Sequence, residues 1–284
     1  MTTPREILRK YGVRPRKKLG QSFLIDGNIA AGIVRSSEIG RDDVVVEIGS
    51  GHGVLTAMIV REAKRVIAVE IDPRMVDILR EELKEASNLE IFQQDILDYE
   101  FSIPLRDSRD KNKLKIIGNI PYSISSQILF RLIDFRENIS SMTLMFQKEV
   151  AERITAASGT KEYGILSVIT AMYTIPSSVM PVPAGCFFPR PKVDSAVLKM
   201  EVRETPLYAA RDNDLFLKVV KCAFAKRRKT LFNNLRSSDL FHTGIEDIQR
   251  VLDRLGIDGR RRGETLTVEE FGILSDAILD LQLS

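Results

Sequence analysis

The sequence predicts an α/β chain, with a doubly wound, mostly parallel sheet followed by a smaller all-α domain. Three observations predict it. Short apolar runs rich in valine and isoleucine alternate with helical periodicity through the first two thirds of the chain. The strongest run, Val44-Val45-Val46-Glu47-Ile48, is followed at once by the glycine-rich turn Gly49-Ser50-Gly51-His52-Gly53. After Arg203-Glu204-Thr205-Pro206 the strand signal stops and only helical spacing remains. The expected boundary divides residues 1–204, carrying a ligand site and a basic N-terminal arm, from a helical domain over 205–284.

The elements follow in order. Residues 11–24 are a basic arm ending in Lys18-Leu19-Gly20-Gln21-Ser22-Phe23-Leu24. Asp26 caps a helix with Ile29, Ile33 and Val34 on its apolar face. The Val44–Ile48 strand, its glycine turn and the helical spacing from Val54 to Ile59 form half of a β-α-β unit. A second strand, Val66-Ile67-Ala68-Val69-Glu70, ends in a carboxylate 21 positions after Gly49, the offset at which an acid can accept ribose hydroxyls. Asp72 and Pro73 then start a helix with Met75, Val76, Leu79 and Leu83 inside. A third strand, Leu89 to Gln93, delivers Asp95 and Ile96 to the same sheet edge, and a fourth, Leu114 to Ile117, delivers Gly118-Asn119-Ile120-Pro121-Tyr122. Met142 to Gln147 reads as strand, Lys148 to Ile154 and Tyr163 to Tyr173 as helices, and Ser178–Met180 and Ser195–Met200 as late strands. The stretch Pro181 to Lys192 between those two is too rich in proline for a central strand and reads as a loop returning aromatics to the ligand edge. Helices are expected over Asp214–Leu235, Ile245–Leu255 and Thr267–Leu281.

The pentapeptide at the fourth strand tip has specific chemistry. Pro121 fixes its own φ and biases Ile120 to an extended conformation. Asn119 offers an amide oxygen and Tyr122 a flat ring with a polar tip. A planar ring with an exocyclic amine would be gripped well, donating to Asn119 and the Ile120 carbonyl while stacking on Tyr122. The plainer alternative is an Asn-x-Pro turn whose tyrosine covers the sheet edge.

Composition narrows the class. The apolar fraction of 44% and charged fraction of 29% are those of a soluble globular protein. No apolar run approaches the roughly 20 residues of a membrane span, and Met1-Thr2-Thr3-Pro4-Arg5-Glu6 is too polar for a secretory signal. A cytoplasmic location without membrane attachment is therefore expected. Cys186 and Cys222 form no C-x-x-C, so neither a disulfide framework nor a metal site is expected. Net charge is only +3, but basic residues cluster in Arg14-Pro15-Arg16-Lys17-Lys18, Lys226-Arg227-Arg228-Lys229 and Arg260-Arg261-Arg262. Each is either a solvated face or part of a nucleic-acid surface, and three together favour the latter.

The glycine turn misses the dinucleotide fingerprint G-x-G-x-x-G, because Gly53 arrives one residue early; this disfavours a nucleotide-dependent oxidoreductase. A glycine turn after strand one, acids ending strands two and three, and Asn-x-Pro-Tyr ending strand four together resemble the Rossmann-like class I methyltransferases that use S-adenosylmethionine to modify exocyclic amines. Gly20-Gln21-Ser22-Phe23-Leu24, Glu47-Ile48-Gly49-Ser50-Gly51, Asn119-Ile120-Pro121-Tyr122, Gln147-Lys148-Glu149-Val150 and Phe188-Pro189-Arg190-Pro191-Lys192-Val193-Asp194-Ser195-Ala196-Val197 narrow the resemblance to the rRNA adenine dimethyltransferases. Tyr163-Gly164-Ile165-Leu166-Ser167-Val168 and Ala225-Lys226-Arg227-Arg228-Lys229-Thr230 look like the branch acting on small-subunit rRNA. Two departures stand out: Ser22 where the family usually has Asn, and Ser50 for a frequent Pro. His52, inside the turn, reads as an incidental exposed side chain.

The resemblance implies dimethylation of the 6-amino groups of two adjacent adenosines near the 3′ end of small-subunit rRNA, within a pre-ribosomal particle, by a monomer. Gln21, Ser22 and Leu24 would close over the methionine end of the cofactor, with Gly49 and Gly51 admitting it to the backbone. Glu70 would accept its ribose hydroxyls, Asp95 its adenine amine, and Ile96 would pack on that ring, with Asn119 also at the cofactor. Asn119, Ile120, Pro121 and Tyr122 would hold the target adenine, with Phe187 as its second stacking face and Phe188 as the alternative. Arg16, Lys17, Lys18, Lys226, Arg227, Arg228 and Lys229 would contact RNA. Competing readings are a large-subunit rRNA adenine methyltransferase and a non-catalytic rRNA-binding assembly factor on the same fold.

Overall fold

The computed structural model describes residues 4–106, 113–238 and 245–283. The chain divides into two compact units, Met1–Ala151 with Pro176–Val202, and Glu152–Ile175 with Arg203–Ser284. The sequence placed 152–175 in the first domain; the structure groups it with the C-terminal helices instead, for a reason given below.

The strands are β1 (Phe23–Leu24), β2 (Val44–Ile48), β3 (Arg65–Glu70), β4 (Leu89–Gln93), β5 (Leu114–Asn119), β6 (Ile139–Gln147), β7 (Thr174–Val182), β8 (Phe187–Phe188) and β9 (Ser195–Val202). Seven of them form one sheet in the order β4-β3-β2-β5-β6-β9-β7, and β1 and β8 form a separate ribbon. β4 to β6 pair in parallel, and β9 runs antiparallel to β6. All five residues of β2 and five of the six in β3 are buried, as expected of parallel strands covered on both faces. β7 is longer than the predicted Ser178–Met180. Its two prolines, Pro176 and Pro181, are tolerated because β7 is an edge.

After β2 the chain winds outward through β3 and β4, then crosses to β5 on the other side of β2. This reversal is the switch point at which open α/β sheets bind ligands. Gly118 of β5 lies opposite Ile48 of β2, where an added Cβ would stand 2.6 Å from the Ile48 carbonyl oxygen. Only glycine lets the two strands close at that point.

The helices of the first unit are α1 (Pro4–Lys10), α2 (Gly27–Ser36), α3 (Thr56–Glu62), α4 (Pro73–Glu82), the single turn α5 (Ile103–Arg106) and α6 (Ser125–Asp134). Asp26 caps α2 through the Asn28 and Ile29 amides, and Asp72 caps α4 through the Arg74 amide with Pro73 following. Leu8 of α1 joins a small core with Phe23, Met75 and Ile78, so the N-terminal arm is packed down rather than loose.

α7 (Lys148–Ile154) leads into the second unit, which contains α8 (Ile165–Tyr173), α9 (Asn213–Ala223), α10 (Leu231–Arg236), α11 (Ile245–Leu255) and α12 (Val268–Leu283). α8 is apolar all round and packs against α9 and α12. That packing is why 152–175 groups with the helical unit. The predicted continuous helix over Asp214–Leu235 is broken: α9 ends at Ala223 and α10 restarts at Leu231. Four adjacent cations occupy the gap, and Thr230 restarts the helix by accepting the Asn233 amide.

Candidate active site

The tips of β2, β3, β4 and β5 open into one cleft of about 260 Å³ in the first unit. Gly49 and Gly51, at φ +67° and +55°, turn the chain sharply after β2, a conformation that costs other residues more than glycine. A Cβ at Gly51 would lie 3.3 Å from the Phe23 ring, so the turn has no spare room on its arm side. Gln21, Ser22, Gly49, Gly51, Glu70, Asp95, Ile96 and Asn119 all line this cleft, with Ile120, Pro121 and Tyr122. Eleven residues expected at the site thus share one cavity.

The two strand-end acids differ. Glu70 is buried, with one carboxylate oxygen accepting the Gly51 amide and the other the Asp72 amide, both at 2.8 Å. Burial raises its pKa against the pull of those amides. Each oxygen keeps a lone pair, so the group can still accept two hydroxyls. Asp95 is half-buried; its Oδ1 accepts the Leu97 amide at 2.9 Å and its Oδ2 remains available.

At the β5 tip, Asn119 Nδ2 donates to the Ser22 carbonyl at 3.0 Å. That bond uses one of its two N–H groups, and the side chain keeps Oδ1 as an acceptor. Pro121 sits at φ −60° and ψ 125°, holding the turn extended. Tyr122 is half-buried rather than sealed in the core, and its hydroxyl shares a 2.5 Å hydrogen bond with Ser195 Oγ. Burial raises the phenol pKa, so it stays neutral.

Three expectations need correction. Leu24 is 1% exposed and joins the core rather than the cleft, because β1 pairs with β8 and turns it inward. Phe187 pairs with Leu24 and is likewise buried at 3%, so it offers no face to a base; Phe188, 47% exposed, points the other way. Strand alternation decides the matter. His52 is 2% exposed, its ring edge-on to Phe23 at 5.6 Å, and burial pushes its pKa down to about 4.

The arm is held by an acid that the sequence reading used only as a helix cap. Asp72 is fully buried and accepts Gln21 Nε2 at 2.8 Å and Arg74 Nη2 at 2.6 Å, with Arg16 Nη1 at 3.4 Å. Burial alone would raise its carboxyl, but the Arg74 and Gln21 hydrogen bonds win and bring it to about 2. Gln21 therefore spends its side chain on the arm's own geometry, its Oε1 accepting the Arg16 amide. Ser195 was also missed. It lay within a quoted motif, and only the fold puts it beside Tyr122.

Among the basic residues, Lys18 is exposed and lines the cleft, while Arg16 is tied to Asp72. The side chain of Lys17 lies outside the described residues. In the second unit Lys226, Arg227, Arg228 and Lys229 are all exposed, and none makes an ion pair among the described residues. Arg227 donates to the Lys161 carbonyl, which leaves its charge uncompensated. Arg260 and Arg261, by contrast, pair with Asp258 at 3.0 Å and Glu270 at 2.5 Å. Among the described residues no group of three or more His, Cys, Asp or Glu could hold a metal ion, and no helix is long and apolar enough to cross a membrane.

The donor set fits a nucleoside with an amino-acid tail: a buried acid with two free lone pairs, a second acid for a ring amine, an apolar wall at Ile96 and an open glycine turn. Comparison with known proteins agrees with the geometry. The family ribosomal RNA adenine dimethylase matches residues 12–273. Ribosomal RNA small subunit methyltransferase A of Syntrophus aciditrophicus (strain SB) is 44% identical over 278 residues, covering 98% of this chain and 99% of its own. A solved dimethyladenosine transferase from Plasmodium falciparum is 28% identical with a TM-score of 0.74, over 88% of this chain and 94% of its own. The 23S rRNA methyltransferase ErmE is 27% identical with a TM-score of 0.67, over 90% of this chain and 99% of its own.

Proposed function

The chain belongs to the ribosomal RNA adenine dimethylase family, and on that premise we propose that it dimethylates the 6-amino groups of two adjacent adenosines near the 3′ end of small-subunit rRNA. It is an enzyme of the S-adenosylmethionine-dependent type, and rRNA is its partner. The proposal includes action as a monomer on a pre-ribosomal particle in the cytoplasm. One observation carries it: the tips of four strands bring the nucleoside-binding acids and the Asn-x-Pro-Tyr turn into a single cleft at the switch point.

When bound, S-adenosylmethionine supplies a methyl group made electrophilic by its sulfonium. Glu70 accepts the ribose hydroxyls, Asp95 Oδ2 the ring amine, and Ile96 packs on that ring. Asn119 Oδ1 and the Ile120 carbonyl accept the two N–H groups of the target adenine. Those bonds localise the nitrogen lone pair that the ring otherwise delocalises. Positioning of this kind can supply about 7–11 kcal/mol of barrier reduction. No strong base is required, since the nitrogen becomes acidic only once the methyl has transferred.

The target base must leave its stack, which costs a few kcal/mol. Stacking returns about 1–3 kcal/mol per aromatic face, so two faces are needed. Tyr122, its tilt fixed by Ser195, is one; exposed Phe188 is the other. Lys18 and the Lys226–Lys229 run attract the phosphate backbone.

Mass spectrometry of rRNA from cells with and without the gene tests the reading. Loss of paired dimethyladenosines from small-subunit rRNA is expected. Loss from large-subunit rRNA would favour the large-subunit activity, and no change would leave only an assembly role.

A further inference from the structure

Ser50 and His52, which the chemistry above leaves unused, stand on either side of Gly51 in the turn after β2. Both are buried, and Ser50 Oγ and His52 Nε2 make no hydrogen bond among the described residues. A buried polar atom left unpaired costs its full desolvation, so two such atoms within three residues call for a partner. Both residues line a second, smaller cavity of about 20 Å³, together with Glu47. Phe23, Gly49, Gly51 and Asn119 wall both this cavity and the cleft. One water needs roughly 10–15 Å³, so the space admits one water and nothing larger. The edge-on contact with Phe23 holds the His52 ring. Burial keeps that ring uncharged at neutral pH, so its nitrogen can meet a water as donor or as acceptor.

We propose that this cavity is a site for one water molecule bridging Ser50 Oγ and His52 Nε2, and that the bridge holds the glycine turn in the shape that receives the cofactor. Gly51, between the two, donates its amide to Glu70 Oε2 at 2.8 Å, and the Gly53 amide closes the turn on the Ser50 carbonyl at 2.9 Å. A bridge between the side chains at 50 and 52 therefore steadies the peptide whose N–H aims the ribose acid. Ser50 and His52 are positioning residues in this scheme, acting on the cofactor only through the turn. The water site stands on the cavity and the two unpaired atoms; its effect on affinity rests on the S-adenosylmethionine site described above.

A crystal structure of the unaltered protein, at a resolution that shows ordered solvent, tests the site directly. One water within hydrogen-bond distance of both atoms is expected; a dry cavity, or a water that meets only one of them, would overturn the proposal. The hold on the turn is read by calorimetric titration with S-adenosylmethionine for Ser50→Ala, His52→Leu and the double variant, with melting temperatures to confirm folding. The two side chains share no direct bond, so coupling between them passes through the bridge. With the weight of one hydrogen bond, each single change should weaken cofactor binding about three- to tenfold. The double variant should weaken it no more than the worse single change, well short of their product. His52→Gln, whose amide can reach the same space, should recover most of the loss. Kd values that multiply in the double variant, or a glutamine no better than leucine, would overturn the bridge. Unchanged affinity in every variant would overturn its hold on the turn. Wild-type protein that binds no S-adenosylmethionine would instead overturn the cofactor site, leaving the crystal structure to judge the water.

Discussion

In the first unit two acids at the cleft, Glu70 and Asp72, are committed to internal partners; in the second, a run of four exposed cations makes no ion pair among the described residues. Glu70 accepts two backbone amides, and Asp72 gathers Gln21, Arg74 and Arg16. Lys226 to Lys229 make no ion pair among the described residues, whereas the neighbouring Arg260 and Arg261 are paired at short range. The difference separates two uses of charge. Committed groups hold atoms where a reaction needs them, and the low dielectric around them keeps their bonds strong. Uncommitted cations act at a distance on a polyanion and are weakened by salt.

The sharpest way to break this contrast is at Asn119. Asn119→Ala should lower methyl-transfer turnover by about 10²- to 10³-fold, the scale seen when one preorganised polar group is removed from an active site. Its cofactor affinity by calorimetry should stay near normal; near-normal turnover would sink the assignment. Next in size is the phenylalanine pair. Phe188→Ala should cost about 1–3 kcal/mol in RNA-dependent kcat/KM, with the melting temperature held. Phe187→Ala should instead cost about 3–5 kcal/mol of stability as a buried aromatic. A reversal of those two phenotypes would mean that β8 faces the other way in solution.

A smaller effect tests the free cations. Neutralising Arg227 and Arg228 together should reduce the slope of log K against log salt by about one to two. The same change at Arg260 and Arg261 should move that slope less, because their charges are already met. Equal slopes from the two pairs would erase the distinction between the clusters.

The smallest prediction concerns what commitment costs the first unit. Burial lifts the Glu47 carboxyl from its ordinary 4.5 to about 7, against the pull of the Thr56 hydroxyl that it accepts. The folded protein therefore loses stability as pH rises from 4.5 to 7, since the unfolded chain gives up that proton earlier. His52, lowered by burial from 6.5 to about 4, works the other way: stability is lost as pH falls from 6.5 to 4. Between pH 4.5 and 6.5 the two slopes oppose. Glu47→Gln, which can still accept the Thr56 hydroxyl, should leave the His52 slope exposed, with melting temperature rising over that interval. A mutant curve parallel to the wild type would show that Glu47 does not titrate there.

Much of this was legible from local pattern. The four strand tips could be read because the functional residues there lie within about five positions of the end of an apolar run, and parallel strands deliver their ends to one edge. Phe187 against Phe188 was not legible. The choice depends on which residue pairs with Leu24, far away in the chain. His52 looked exposed because nothing near it signals that Phe23 folds across it. The break between α9 and α10 was hidden because the apolar spacing continues in phase through four cations. Asp72 read as an ordinary helix cap; its hold on the arm needs Gln21 and Arg16 brought back from before β1.

The detour of 152–175 into the helical unit has a consequence for synthesis and for engineering. α8 leaves the ribosome before β9, yet its packing partners α9 and α12 are translated only after the first unit is complete at Val202. Until then Leu166, Val168, Ile169 and Met172 are a sticky segment waiting for cover. A shortened protein cut at the boundary that the sequence suggests, after residue 204, would make that wait permanent. It would precipitate through α8 long before revealing whether the remaining chain can hold a cofactor.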